Sequence, residues 1–289
     1  MQQITKLLNS ALSPLYDPRE VKAITRLLLE EVCGLSFTEI VMRRDDVLPE
    51  TQRQVLTAFA ERLSKGEPVQ QVLGYAWFRG RKFIVSPDVL IPRPETEELV
   101  NMIVNNSVNN PVHKVLDIGT GSGCIALSLA LDINTAFITA ADLSTAALTI
   151  AMKNAIQLET NNVRFVQTDI LKEEFCDFST DLSTPETFFD VIVSNPPYIC
   201  QHESAQMQSN VLDHEPHLAL FVPDHDPLLF YRAIGSYALR HLSPSGTLYF
   251  EINQAYGSET CKLLVDIGYQ NVQLFNDFTG RNRFVTANK

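Results

Sequence analysis

Apolar residues recur at helical spacing from residue 1 to about 72. Val21, Ile24, Leu27, Leu28 and Val32 share one face of a helix that Gly34 can end. Val55, Leu56, Phe59 and Leu63 form a second stripe, opened by Pro49-Glu50-Thr51 and closed by Ser64-Lys65-Gly66. No strand-like alternation interrupts them, so the pattern predicts a small all-α bundle over 1–72. The texture changes over 73–92, where Tyr75, Trp77, Phe78, Phe83, Ile84 and Val85 flank Arg79-Gly80-Arg81. Aromatic and β-branched residues on both sides of a glycine turn predict a β-hairpin, here a linker to the remainder. Pro92 and Pro94 bracket Arg93, and a helix is predicted to begin at Glu95.

From residue 113 onward short apolar runs alternate with helical patterns. Strands are predicted at 115–119, 136–143, 163–170, 190–195 and 246–252, with helices between them. Such alternation predicts an α/β domain over 93–289, with a mainly parallel sheet covered by helices on both faces. The last two candidate strands, 272–277 and 283–287, are joined by Phe278-Thr279-Gly280-Arg281, which also permits an antiparallel hairpin at the sheet edge. Residues 172–189 look like a variable loop and suggest no function. No internal repeat or low-complexity stretch is present.

Length and charge narrow the choices. A chain of 289 residues corresponds to roughly two domains at about 150 residues each. The net charge of −11 weighs against a long nucleic-acid tract or an anionic membrane surface as main partner. Five scattered cysteines without a C-x-x-C pair argue against a disulfide framework or a metal site, and fit a reducing compartment. The N-terminus lacks a signal-peptide apolar region, and no apolar run is long enough to span a membrane. A cytoplasmic protein is expected.

Three segments carry candidate chemistry. Asp117-Ile118-Gly119-Thr120-Gly121-Ser122-Gly123 lies between a strand and a helix. Glycines allow the tight turn and close ligand approach, and the helix N-terminus offers N–H groups. The spacing is G-x-G-x-G, so it fits neither the dinucleotide fingerprint nor a P-loop well. A dinucleotide, a phosphate or the amino-acid end of S-adenosylmethionine suits such a loop. Asp142, at the end of the next strand, can accept ribose hydroxyls or, like Ser144, cap the following helix. Asp169 can accept the amino group of an adenine, or can be a solvated strand-end carboxylate. Ser194-Asn195-Pro196-Pro197-Tyr198 follows an apolar strand. The prolines remove N–H donors and fix the backbone, while Asn195 adds a side-chain acceptor and Tyr198 a flat face. Together they suit a planar NH2 group.

The glycine loop, Asp142 and Asn195-Pro196-Pro197-Tyr198 resemble class I S-adenosylmethionine-dependent methyltransferases that act on a planar amide or exocyclic amine nitrogen. Ile91-Pro92-Arg93-Pro94-Glu95-Thr96-Glu97 looks like the signature of protein-glutamine N5-methyltransferases of peptide chain release factors, the HemK/PrmC type. Gly74-Tyr75, Phe78-x-Gly80, Glu215-Pro216, Glu251-Ile252 and Gly280-x-x-Arg283 extend the resemblance over essentially the whole chain. It implies a Rossmann-like, seven-stranded sheet behind the N-terminal bundle, with the bundle recognising the partner. It also implies S-adenosylmethionine as methyl donor, held by Gly119, Thr120, Gly121, Gly123, Asp142, Asp169, Ile170 and Asn195. Asn195, Pro196 and Tyr198 are then the catalytic residues, and with Pro197 they bind the glutamine of a Gly-Gly-Gln loop. Phe78 and Pro94 are implied to cover the methyl-donor pocket. Arg93 is read as bracing the linker, and Glu215-Pro216 either as a wall beyond Tyr198 or as a buried structural pair. Two positions depart from the family pattern: Asn253 stands where a glycine is common after Glu-Ile, and Ile170 where an aromatic residue is common.

A carboxamide nitrogen is a poor nucleophile, so the task implied is orientation rather than proton abstraction. In agreement, no His-Asp or Cys-His constellation adjoins the motif, and His202 and His214 read as solvated loop residues. The runner-up is an adenine-N6 or cytosine-N4 nucleic-acid methyltransferase using the same motif on a flipped base, which predicts a basic channel. A non-catalytic adaptor is a third class, disfavoured by the intact glycine loop and Asn195. Direct nucleic-acid binding, a metal and a membrane are not expected.

Overall fold

The computed structural model describes residues 1–172 and 188–289, and almost all of the 172–189 segment lies outside the described residues. The chain divides into two compact units, Met1–Gly74 with Gln208–His214, and Tyr75–Met207 with Glu215–Lys289. Among the described residues, no helix is long and apolar enough to cross a membrane.

The first unit is built on α1 (Gln2–Leu12), α2 (Pro18–Cys33), α3 (Phe37–Met42), α4 (Glu50–Leu63) and α5 (Val69–Leu73). Asp17 caps α2 by accepting from the Arg19 and Glu20 amides, Pro18 occupies its first turn, and Gly34 ends it at φ +64°. Ser36 and Glu39 form a reciprocal capping box on α3. Leu28, Leu56 and Leu63 of the expected stripes meet Leu8 and Leu12 in the core of this unit, whereas Val55 of the second stripe is exposed. Gln71, buried, donates from Nε2 to the His214 carbonyl at 3.0 Å, so residues 208–214 join this unit rather than the domain that surrounds them in sequence.

The second unit opens with β1 (Tyr75–Phe78) and β2 (Arg81–Ile84), then α6 (Pro94–Ser107). Arg79 and Gly80 both have positive φ, the two-residue turn geometry that matches strand twist. Arg79 is held there by Asp132, which accepts from its Nε at 3.0 Å and its Nη2 at 2.7 Å. Phe78 and Phe83 are fully buried and meet edge to face at 5.8 Å, inside the core that includes Leu99 and Leu127. The hairpin is therefore integral to the α/β unit and not a free linker.

The central sheet follows: β3 (Lys114–Ile118), α7 (Cys124–Asp132), β4 (Phe137–Asp142), α8 (Thr145–Gln157), β5 (Val163–Gln167) and β6 (Phe189–Ser194). The short β7 (Ile199–Cys200) and β8 (Phe221–Val222) pair in parallel, separated by the helical turns α9 (Ser209–Leu212) and α10 (His217–Leu220). Then come α11 (Leu229–His241), β9 (Leu242–Glu251), α12 (Gly257–Ile267), β10 (Gln270–Asn276) and β11 (Asn282–Asn288). The seven-stranded sheet has the order β10-β11-β9-β6-β3-β4-β5. β9, β6, β3, β4 and β5 run parallel, while β10-β11 form the antiparallel edge hairpin. β9 begins before the expected residue 246 because Leu242 already pairs with Phe189. Side chains alternate between the two faces: Val115, Val191 and Val193 pack with α6 and α7, whereas Leu116, Ile192 and Phe250 pack with α11 and α12.

One buried side chain joins three parts of this unit. Asn154 on α8 accepts from the Ile84 amide at 2.6 Å and donates to the Ile84 and Ser122 carbonyls at 3.0 and 2.9 Å. Asn154→Leu keeps the volume but leaves these groups without partners. Chemical denaturation should show a loss of about 2–4 kcal/mol.

Candidate active site

β3 has β4 on one side and β6 on the other, so the chain leaves it in both directions across the sheet. Open parallel sheets form a crevice at such a point, outside the carboxyl ends of the strands. A cavity lies there. Its walls include Gly119, Thr120 and Gly121 after β3, Asp142 ending β4, Asp169 and Ile170 beyond β5, and Asn195, Pro196 and Pro197 after β6.

The glycine loop holds its shape through its neighbour strand. The amides of Gly119 and Thr120 donate to the Ala141 carbonyl at 2.8 and 3.0 Å. The Gly121 amide donates to Asp142 Oδ2 at 2.8 Å, and the Ser144 amide to Oδ1 at 2.9 Å. These N–H groups are thus used within the protein. Gly119 and Gly121 contribute differently: both have positive φ, and a Cβ on either would project into open space. Ser144, not Asp142, caps α8, accepting from the Ala147 amide at 3.1 Å. Asp142 is left with free lone pairs on both oxygens, and burial raises its carboxyl above the usual range.

Gly123 and Tyr198, both expected at the site, do not line the cavity. Gly123 precedes α7 at φ +81°, and a Cβ there would meet Leu127 and Ala151 at 3.1 and 3.2 Å, so its requirement is steric. Tyr198 turns its hydroxyl to Glu251 Oε1 at 3.3 Å. Phe78 lies in the core and Pro94 in the first turn of α6, and neither covers the cavity. Asp169 accepts from the Leu171 amide at 3.0 Å, and Ile170 supplies an apolar wall. His202 pairs with Asp224 at 2.9 Å, both exposed, and His214 contacts the Lys65 carbonyl within the first unit.

Several lining residues carried no signal in the sequence. Leu218, Ala219, Phe230 and Ile234 complete the apolar wall from α10 and α11. Thr96 also lines it, inside the Ile91–Glu97 stretch. Arg93 makes the bracing contact expected of it: Nη2 lies 2.5 Å from Glu215 Oε1, while Glu215 Oε2 accepts from the Ile91 amide at 3.1 Å. Glu215 is therefore a buried structural partner. Cys200, His202 and Asp224 place their ligand-type atoms within 4.8 Å of one another. Cys200 lies against the Tyr256 hydroxyl at 3.6 Å and His202 on Asp224, and none of the three lines the cavity.

Two buried carboxyls flank the site. Glu251, ending β9, accepts from Thr96 Oγ1 at 2.7 Å, and Thr96 accepts from Asn195 Nδ2 at 3.3 Å. Burial lifts Glu251 to about 7 against the opposing effects of Thr96, Arg283 and Tyr198. Asp117 accepts from Thr120 Oγ1 at 2.7 Å, and burial lifts it to about 7 as well. The open faces of two glycines, a carboxylate with free lone pairs and an apolar wall ending in an acidic residue suit a zwitterionic nucleoside such as S-adenosylmethionine.

Residues 2–74 match the family described as PrmC N-terminal domain, and residues 109–268 match a methyltransferase domain. The release factor glutamine methyltransferase of Bacteroides thetaiotaomicron is 44% identical over 100% of both chains. That of Flavobacterium psychrophilum is 42% identical, covering 96% of this chain and 95% of the relative. Among solved structures, the hMettl16 catalytic domain in complex with MAT2A 3'UTR hairpin 6 aligns with a TM-score of 0.54. It is 14% identical and covers 81% of each chain, a likeness of fold.

A raised carboxylate pKa gives the linkage a definite sign. Between about pH 4 and 7 the folded protein keeps a proton on Asp117 that the unfolded chain has released, so stability falls as pH rises through that window. Asp117→Asn removes this titration. The Tm difference, variant minus wild type, should therefore increase from pH 5 to 8 in differential scanning fluorimetry.

Proposed function

The chain belongs to the release factor glutamine methyltransferase family, and from that premise we propose the following reaction. The enzyme transfers a methyl group from S-adenosylmethionine to the side-chain amide nitrogen of the glutamine in the Gly-Gly-Gln loop of a peptide chain release factor. The observation that carries this reading is Asn195-Pro196 on the wall of the same cavity as Gly119, Gly121 and Asp142.

S-adenosylmethionine supplies an electrophilic methyl group on a sulfonium centre. Gly119, Thr120 and Gly121 would hold its amino-acid end, Asp142 its ribose, and Asp169 with Ile170 its adenine. The remaining work belongs to Asn195 and Pro196. The Asn195 side-chain oxygen and the Pro196 carbonyl accept the two N–H bonds of the glutamine amide, which fixes its plane. Those acceptors also stabilise positive charge as it grows on nitrogen, and they require no rearrangement to do so. No general base is needed, because a methylated amide nitrogen is acidic until amide resonance returns. Among the described residues, no histidine lines the cavity. Tyr198 acts from behind the wall through Glu251.

The first unit would bind another part of the release factor. Its exposed Phe37, Val41, Met42 and Val47 support that reading, since an apolar surface suits a protein partner and does not displace phosphate counterions. A release factor substrate would put the enzyme in the cytoplasm.

Methyl transfer to a purified release factor, with the product located by mass spectrometry, tests the assignment. The label should appear on the Gly-Gly-Gln glutamine, and label on duplex DNA or RNA alone would overturn it. Asn195→Ala should lower kcat by roughly 100-fold or more while leaving the Kd for S-adenosylhomocysteine nearly unchanged. Asp142→Ala should do the reverse, weakening S-adenosylhomocysteine roughly 10-fold or more in a calorimetric titration.

A further inference from the structure

We propose that Thr96 and Glu251 are positioning residues that decide which end of the Asn195 side-chain amide faces the substrate. The inference rests on the reaction assigned above and explains how the site recognises a carboxamide. The oxygen and nitrogen ends of an asparagine side chain have nearly the same shape, so packing alone does not orient them. An amide oxygen facing the substrate accepts a glutamine N–H. An amide nitrogen facing it presents a donor to a donor, and binding fails.

The polarity is set one link at a time. Glu251 is 1% exposed, and above about pH 7, where it is ionised, its carboxylate can only accept. Thr96 is 3% exposed, and its Oγ1 lies 2.7 Å from Glu251 Oε2, which commits the single hydroxyl proton to that bond. Thr96 then has only lone pairs left for Asn195, and it takes the Nδ2 donor at 3.3 Å. With its nitrogen held, Asn195 turns its oxygen the other way. The second carboxylate oxygen takes the Tyr198 hydroxyl at 3.3 Å, so Glu251 holds the residues on both sides of Pro196-Pro197. Thr96 reaches this point because Pro94 starts α6 and the Arg93–Glu215 pair braces the preceding turn. Asn195 then presents an acceptor to the reacting group, which favours the NH2 of glutamine over a carboxylate oxygen of glutamate.

The test compares Thr96→Val, which removes the hydroxyl and keeps the shape, with Thr96→Ser, which keeps the hydroxyl. With a release factor as substrate, Thr96→Val should lower kcat roughly 10- to 100-fold, and Thr96→Ser should stay within about 3-fold of wild type. Both should bind S-adenosylhomocysteine within about 2-fold of wild type. Glu251→Gln offers one acceptor where two are needed and should lose kcat in the same direction. An unchanged kcat in Thr96→Val, or equal losses in Thr96→Val and Thr96→Ser, overturns the proposal. Loss of kcat in step with cofactor affinity also overturns it. If wild type leaves the glutamine unmethylated, the reaction assignment fails instead, and the relay is then read on the enzyme alone. The Asn195 side-chain NH2, assigned in nitrogen-15 NMR by its loss in Asn195→Asp, should exchange slowly with solvent in wild type and faster in Thr96→Val. Equal exchange rates refute the relay.

Discussion

Removing a carboxylate from water is tolerated only where its oxygens find donors, and Glu251 at the end of β9 finds them in Thr96 and Tyr198. That requirement reaches well beyond one residue. It fixes the first turn of α6 against the sheet, determines the path of the chain after β6, and leaves Asn195 with one polar end occupied. The Arg93–Glu215 pair and the Ile91 amide hold the approach to α6. The Ile91–Glu97 stretch is thus a device for delivering a hydroxyl to a buried acid, and its prolines and charges serve that placement.

Much of this was legible in the chain. Alternating apolar runs from 113 onward gave the parallel sheet, because strands buried on both faces leave a strong signature. Gly119, Thr120, Gly121, Asp142, Asp169, Ile170 and Asn195-Pro196-Pro197 were also recognisable, and the structure brings them to one cavity. Legibility failed where a residue acts through contacts distant in sequence. Tyr198 was expected to offer the flat face of its ring to the substrate, and what pattern could not show is that its hydroxyl reaches Glu251. Gly123 looked like part of a ligand loop, but Leu127 and Ala151 account for it. Phe230 and Ile234 carried no signal, since nothing in helical spacing distinguishes a cavity wall from a core. The hairpin read as a linker because its burial depends on α6 and α7, which pattern alone cannot bring to it.

Asn253, at a position where the resemblance led to the expectation of glycine, has a structural role. Its Nδ2 donates to the Tyr198 carbonyl at 3.1 Å and to Glu203, and its Oδ1 accepts from the Ala255 amide at 3.0 Å. Glu203 in turn accepts from the Cys200 amide at 2.7 Å. One side chain thereby fastens the segment leaving the Pro-Pro turn, a segment whose backbone a glycine would have to leave to other partners.

The His214 carbonyl taken by Gln71 means that the helical unit is not a contiguous piece of sequence. Heredity treats such a unit differently from a simple N-terminal appendage. Exchange between relatives by one crossover near residue 75 would separate Gln71 from the strip it evolved with, and the seven residues from Gln208 to His214 would meet a foreign partner. The helical unit is therefore expected to evolve as two linked patches of sequence, changing together although more than a hundred residues lie between them.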